Sequence, residues 1–275
     1  MHATTPHIHL RTFTRGYARL FRLLYRTLFR GGEGLAPLTP KRAVLLVLLL
    51  PVVAALQLTH AACLLLDELL FRRYRQTEIR EPVFMVGMPR SGTTFLHRLL
   101  ARDEQFASMQ LWEILFAPSI LQRKCWRALG RIDALLGGYG RRLLERLDQR
   151  FFDGLRTIHP MSLFKADEDE MLLVPIFETV LFGCAFPFED EFWPLVRFDE
   201  AVPRAEQDRI MAFYKACVKR HLYVHGPDKR FLSKNPLFTP KLEALRRHFP
   251  DCRVVCNVRT PYDAVPSIMS LVSVY

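Results

Sequence analysis

The sequence predicts an α/β fold: a parallel sheet flanked by helices, with a largely helical middle insertion and an N-terminal apolar helix. Three observations predict it. Val83–Gly87 (VFMVG) is a short apolar run ending in glycine, the pattern of a strand buried on both faces. Arg253–Val258 (RVVCNV) repeats that pattern, and Arg230–Ser233 (RFLS) is a third short run. Helical periodicity separates the runs and dominates from about Trp112 to Val224, and strands alternating with helices build parallel sheets.

Residues 1–40 form a basic arm. Arg11, Arg15, Arg19, Arg22, Arg26 and Arg30 recur every three or four residues, which makes one helical stripe. Phe13, Tyr17, Leu20, Leu24 and Leu28 give that helix an apolar side, and Gly31, Gly32 and Gly34 stop it. Such a helix either lies on an anionic membrane surface or docks as a solvated terminal helix. Residues 41–80 hold an apolar helix and a connector. Ala43 to Leu66 has no formal charge and is long enough for a hydrocarbon core of ~30 Å. Lys41 and Arg42 before it, and Asp67 and Glu68 after it, orient a span with a cytoplasmic N-terminus. Pro51, Gln57, Thr59 and His60 fit a kinked, buried or interfacial helix equally well. Lipid contact is therefore expected through residues 10–66.

Residues 81–275 form the main domain. Within it, Thr93–Arg102, Leu242–Phe249 and Pro261–Val274 read as helices that follow the three strands. The chain carries a formal charge of +11, with 31 Arg against 8 Lys. This suits a polyanionic ligand or anionic lipid. The six cysteines form no Cys-x-x-Cys pair, which argues against zinc and a disulfide framework. Cys252 and Cys256 share strand parity and read as small core residues.

The chemistry sits in the loop Gly87-Met88-Pro89-Arg90-Ser91-Gly92-Thr93-Thr94. Two glycines five apart, after a strand and before a helix, let backbone amides face an anion. Arg90 adds a planar cation for phosphate or sulfate, and the two threonines add hydroxyls. The unit is of P-loop type, but Thr93 stands where the ATP-binding motif has its lysine. Phosphate binding is kept, and ordinary ATP hydrolysis is disfavoured.

PRSGTT after an apolar strand resembles the 5′-phosphosulfate loop of sulfotransferases that use 3′-phosphoadenosine 5′-phosphosulfate (PAPS). A second signature of that family is a strand-end arginine with serine eight residues on, and Arg259 and Ser267 match it in RVVCNVRTPYDAVPSIMSL. The resemblance covers about Pro82 to the last residue and is clear at its two ends. It implies PAPS as co-substrate, held by Arg90, Ser91, Gly92, Thr93, Thr94 and Phe95 at the 5′ end and by Arg259 and Ser267 at the 3′-phosphate. It implies in-line sulfuryl transfer to a hydroxyl or amine, with no metal and no nucleic acid. Lys234 in FLSKNP keeps a cation where cytosolic relatives have Lys-x-His, but lacks their histidine.

The base is then sought elsewhere. Glu113 in QLWEILF is the first choice, because desolvation among apolar neighbours raises a carboxyl pKa. His159, before Pro160, is the second. Asp167–Glu170 is an acidic run that either faces a cationic acceptor or charges a helix start. The aromatic middle region (Phe151, Phe152, Phe164, Phe182, Phe186, Phe188, Trp193) suits a hydrophobic acceptor or core packing alike. Relatives continue past the second signature, so the chain reads as C-terminally incomplete, with the activity of this form open. The domain is expected to be membrane-associated, and cytoplasmic in a bacterium or lumenal in a Golgi setting. A P-loop kinase or NTPase and a non-catalytic membrane-associated nucleotide-binding module are the alternatives.

Overall fold

The computed structural model describes residues 7–30, 38–153 and 161–272. Its centre is a parallel sheet of β1 (Val83–Gly87), β2 (Phe106–Ala107), β3 (Arg230–Lys234) and β4 (Arg253–Asn257), in the order β2-β3-β1-β4. Two helices, α1 (His7–Phe29) and α2 (Pro40–Leu70), precede the sheet, and α3 (Thr93–Leu100) follows β1. Between β2 and β3 come α4 (Leu111–Phe116), α5 (Ile120–Leu135), α6 (Tyr139–Phe152), α7 (Glu189–Val196), α8 (Phe198–Ala201) and α9 (Arg204–His225). They are joined partly by 3₁₀ turns over Asp169–Ile176 and Val180–Cys184. Then α10 (Leu242–His248) leads into β4, and α11 (Pro261–Val272) follows it.

The sheet is central because β1 is apolar on both faces. All five of its residues are buried, and Val83 pairs with Leu232 on one side and Arg253 on the other. Phe84 is fully buried and meets Phe249 and Phe231 at ring distances of 5.1 and 6.4 Å. Burying one such ring contributes about 1.5–3 kcal/mol. The strand β4 differs from its apolar pattern. Among the described residues it is an edge strand, with Val254 and Cys256 exposed and Cys252 half-buried, where the sequence pattern placed both cysteines in the core. An apolar run alone does not distinguish a central strand from an edge.

The N-terminal helices are built into the same core. Phe13, Leu20 and Leu23 of α1 and Ala61 and Leu64 of α2 are buried with the aromatic cluster. The arginine stripe of α1 is paired with acidic residues of the domain. Arg19 pairs with Glu178 at 2.5 Å, Arg22 with Glu191 at 3.0 Å, Arg26 with Asp190 at 2.7 Å, and Arg15 with Glu206. Opposite charges on α7, α9 and the turn before α7 draw the stripe inward.

Three residues earlier than its apolar run, α2 begins, because Thr39 caps it by accepting from Arg42 N at 3.3 Å and Pro40 fills its first turn. It is long and apolar enough to cross a membrane by length and composition. Yet its second half is fixed in the domain. The Nε2 of His60 donates to the Leu115 carbonyl at 3.0 Å, and Gln122 donates to Nδ1 at 2.9 Å. The less covered half, from about Val44 to Leu56, is roughly 20 Å long at 1.5 Å per residue. That falls short of the ~30 Å hydrocarbon core. In this packing α2 offers lipid a half-helix with Val44, Val47, Leu48 and Val52 exposed.

Candidate active site

The turn out of β1 is made by residues in the left-handed region: Gly87 (φ 121°), Arg90 (φ 67°) and Gly92 (φ 88°). Gly87 has a packing reason as well, since a Cβ there would stand 2.2 Å from the Asn257 carbonyl oxygen of β4. Gly92 caps α3, so the first amides of that helix open onto the loop. Thr93 is buried, and Phe95 is exposed.

The two sequence signatures meet in space. Arg90 Nε donates to Ser267 Oγ at 2.9 Å, across 177 positions of sequence. Arg259 Nη1 donates to the Arg90 carbonyl at 3.1 Å. The strand order explains it: β4 lies beside β1, so α11 starts next to the loop that starts α3. One cluster thus holds two guanidinium groups, a hydroxyl and a helix N-terminus, a combination that binds phosphate-type anions.

This cluster opens into a cleft of about 1170 Å³. Arg90, Gly92, Thr93, Thr94, Phe95 and Arg259 line it, with Arg98 and Arg102 from α3 and beyond. Lys165, Glu168, His225 and Lys229 complete its polar wall. Six of these lining side chains are Arg or Lys and one is acidic, so the cleft is electropositive. Its apolar parts are Phe95, Leu99, Phe106 and Leu237. The aromatics of the middle region do not line it: Phe152, Phe186 and Phe188 are core residues, while Phe151, Phe164 and Trp193 face outward.

Lys234 ends β3 and is fully buried, not a surface lysine, and like Glu113 it does not itself line the cleft. Its Nζ lies 2.6 Å from Glu168 Oε1, and Glu168 faces the cleft. The acidic run proves to be the frame for this strand end. Asp169 accepts from Ser233 Oγ at 2.8 Å and from the Tyr214 hydroxyl. Glu170 accepts from Asn235 Nδ2 at 3.3 Å and pairs with Lys241 at 3.0 Å. Burial pushes the Asp169 carboxyl up to about 7.

Glu113 needs a correction. Its side chain is 1 % exposed and does not line the cleft. It closes a capping box at the start of α4, accepting from Gln110 N at 3.1 Å. Burial alone would raise its pKa, but the His225 hydrogen bond at 2.5 Å and the nearby Arg123 and His221 outweigh it. The carboxyl is held below its ordinary range. What reaches the cleft is His225, whose ring carries the Glu113 contact behind it. His221 stacks on His225 at 4.2 Å, and the ligand-type atoms of Glu113, His221 and His225 lie within 4.8 Å of one another. His159 lies outside the described residues.

Sequence reasoning missed Lys165, His225 and Lys229 as cleft residues, and named Glu168 only within the acidic run. His221 and His225, four apart on a helix, were the available signal for a shared face.

Comparison with known proteins fits this geometry. The profile of the sulfotransferase family matches residues 82–275. The chain belongs to the sulfotransferase family. Among curated relatives, the omega-hydroxy-beta-dihydromenaquinone-9 sulfotransferase Stf3 of Mycobacterium tuberculosis is 26 % identical over 208 residues. That match takes in 73 % of this chain and 47 % of the relative, and the Stf3 protein of Mycobacterium bovis matches equally. The chain therefore spans about half the length of these curated relatives. Among solved structures, sulfotransferase STF1 of Mycobacterium tuberculosis superposes with a TM-score of 0.60 at 18 % identity, covering 94 % of this chain and 67 % of that one. Sulfotransferase STF9 of Mycobacterium avium gives 0.55 at 21 %, covering 73 % and 48 %. These two likenesses establish the shared fold.

Proposed function

We propose that the chain transfers a sulfuryl group from PAPS to the hydroxyl of a hydrophobic acceptor at a membrane surface. The observation that carries the proposal is the meeting of Arg90, Ser267 and Arg259 at the mouth of an electropositive cleft. In this reading Arg90 and the amides of Gly92–Thr94, with Ser91 and Phe95, hold the 5′-phosphosulfate. Arg259 and Ser267 take the 3′-phosphate.

Sulfuryl transfer spreads negative charge over the moving oxygens and the leaving phosphate, so fixed cations beside that path accelerate it. In this reading Lys234, behind the cleft wall on Glu168, supplies such a cation once the donor's charge competes with that carboxylate. His225 takes the acceptor's proton, and Glu113 behind it orients the ring. Glu113 thus acts through His225 and not on the acceptor itself. The apolar cleft residues Phe95, Leu99 and Phe106, the exposed half of α2, and the lipid acceptor in the relative's name support a hydrophobic acceptor.

The test is a transfer assay on the full chain with a radiolabelled sulfate donor and a long-chain alcohol. Label is expected in an organic-extractable product, and Arg259→Ala is expected to stop its appearance. Release of phosphate from ATP with no use of the sulfate donor would instead establish the kinase or NTPase alternative.

A further inference from the structure

A second set of exposed apolar residues lies on the hairpin of α5 and α6, whose first turn packs on α2 through His60 and Asp67. On α5, Trp126, Leu129, Ile132 and Leu136 are exposed at steps of three and four, so they share one side of the helix. On α6, Tyr139, Leu143, Leu147 and Phe151 are exposed at steps of four. Leu135, at the tip, is 87 % exposed, and Phe151 is 77 % exposed. Large apolar side chains left exposed in this number on one hairpin mark an interaction site.

The hairpin is held in a fixed pose. Asp67 of α2 accepts from Ile120 N at 2.8 Å and Leu121 N at 3.0 Å, which fastens the start of α5. Asp148 of α6 accepts from Ser162 Oγ at 2.9 Å and Leu163 N at 2.7 Å. These bonds anchor the inner side and leave the apolar side outward.

Charge chooses the occupant. Residues 120–152 carry eight Arg and Lys against three Asp and Glu; Arg123 of the eight and Asp148 of the three are buried, which leaves seven against two. We infer that the α5–α6 hairpin is a docking surface for an anionic lipid bilayer, with its apolar side in the acyl boundary and its arginines at the headgroups. Basic amphipathic helices bind such surfaces through both terms together. A two-fold pairing with a second copy would set like-charged surfaces against each other, which the same charges oppose. The hairpin also borders the cleft, since Arg127 lies 3.1 Å from the His225 ring. A lipid acceptor in the bilayer would meet the cleft at that edge. Lipid docking needs no donor, so the inference stands or falls separately from sulfuryl transfer.

The test uses the full chain with phosphatidylcholine vesicles, with and without phosphatidylglycerol. Wild type is expected to sediment with the anionic vesicles, and brominated lipid to quench a fluorescence component that Trp126→Phe removes. The triple change Leu135→Glu, Tyr139→Glu and Phe151→Glu is expected to weaken binding at least about tenfold at unchanged circular dichroism. The double change Val47→Glu and Leu48→Glu on α2 is expected to keep the Trp126 quench. Undiminished binding by the triple variant would overturn the inference. So would failure of wild type to bind anionic vesicles, or loss of a dimer in the triple variant with vesicle binding intact.

Discussion

Replacing Arg220 by methionine is expected to lower the free energy of unfolding by about 3–5 kcal/mol, the typical cost of breaking a buried ion pair. Arg220 is fully buried on α9. Its Nε donates to Asp67 Oδ2 at 3.1 Å, and its Nη2 to Glu68 Oε1 at 2.6 Å. The guanidinium also stacks over Tyr74 at 4.3 Å. Methionine keeps most of the volume, so the loss comes from leaving two carboxylates buried without their shared cation. Glu68 keeps Tyr74 and Arg75 as partners, and Asp67 keeps the α5 amides, which limits the cost. Urea unfolding followed by circular dichroism measures it. The same experiment separates a docked α2 from a free membrane span. A span would carry Asp67 and Glu68 away from Arg220, and the substitution would then cost under about 1 kcal/mol, as at an exposed pair.

Lys234→Met is expected to reduce kcat by about 10²–10³-fold with a much smaller change in the donor's KM, the range seen when one preorganised charge at a transition state is lost. The end of β3 fixes the Lys234 backbone, and Ser233 and Asn235 on either side are held by Asp169 and Glu170. The side chain therefore projects from a rigid support, and removing its charge changes the chemistry more than the fold. Glu168 loses its partner but keeps part of its side chain in solvent, so stability falls only modestly. Steady-state kinetics on both substrates separates the two parameters. A rise in donor KM at constant kcat would make Lys234 a binding residue only.

The parts of the site legible in the sequence were those encoded locally. The run VFMVG, the loop PRSGTT and the helix after it are contiguous, and their residue types suffice to specify a strand, an anion-facing turn and a helix start. Arg259 and Ser267 were legible only through the family resemblance carried by PRSGTT, since any Arg and Ser eight apart share their spacing. Other features depended on contacts between distant segments. The arginines of α1 left a membrane-surface helix and a docked terminal helix open, because the partners Glu178, Asp190, Glu191 and Glu206 lie more than 150 positions away. Glu113 read as a carboxyl with a raised pKa because its neighbours in sequence are apolar. The groups that lower its pKa come from α5 and α9, and no local pattern announces them. The acidic run at 167–170 read as facing a cationic acceptor or as helix-start charge; Asp169 and Glu170 do open a 3₁₀ turn, and Glu168, Asp169 and Glu170 are also partners of Tyr214, Ser233, Lys234, Asn235 and Lys241, which no local pattern announces. The exposure of β4 was hidden because edge and central positions share one apolar pattern.

The central claim is that the joined loops hold a nucleotide carrying phosphate at both 3′ and 5′ positions. Calorimetric titration of the full chain with adenosine 3′,5′-bisphosphate and with adenosine 5′-monophosphate tests it most directly. The bisphosphate is expected to bind about 10–100-fold tighter, the worth of charge-assisted bonds to one added phosphate. Arg259→Ala is expected to erase that preference, while Arg90→Ala weakens both ligands. Equal affinity for the two nucleotides in wild type, or a preference that survives Arg259→Ala, would contradict the account.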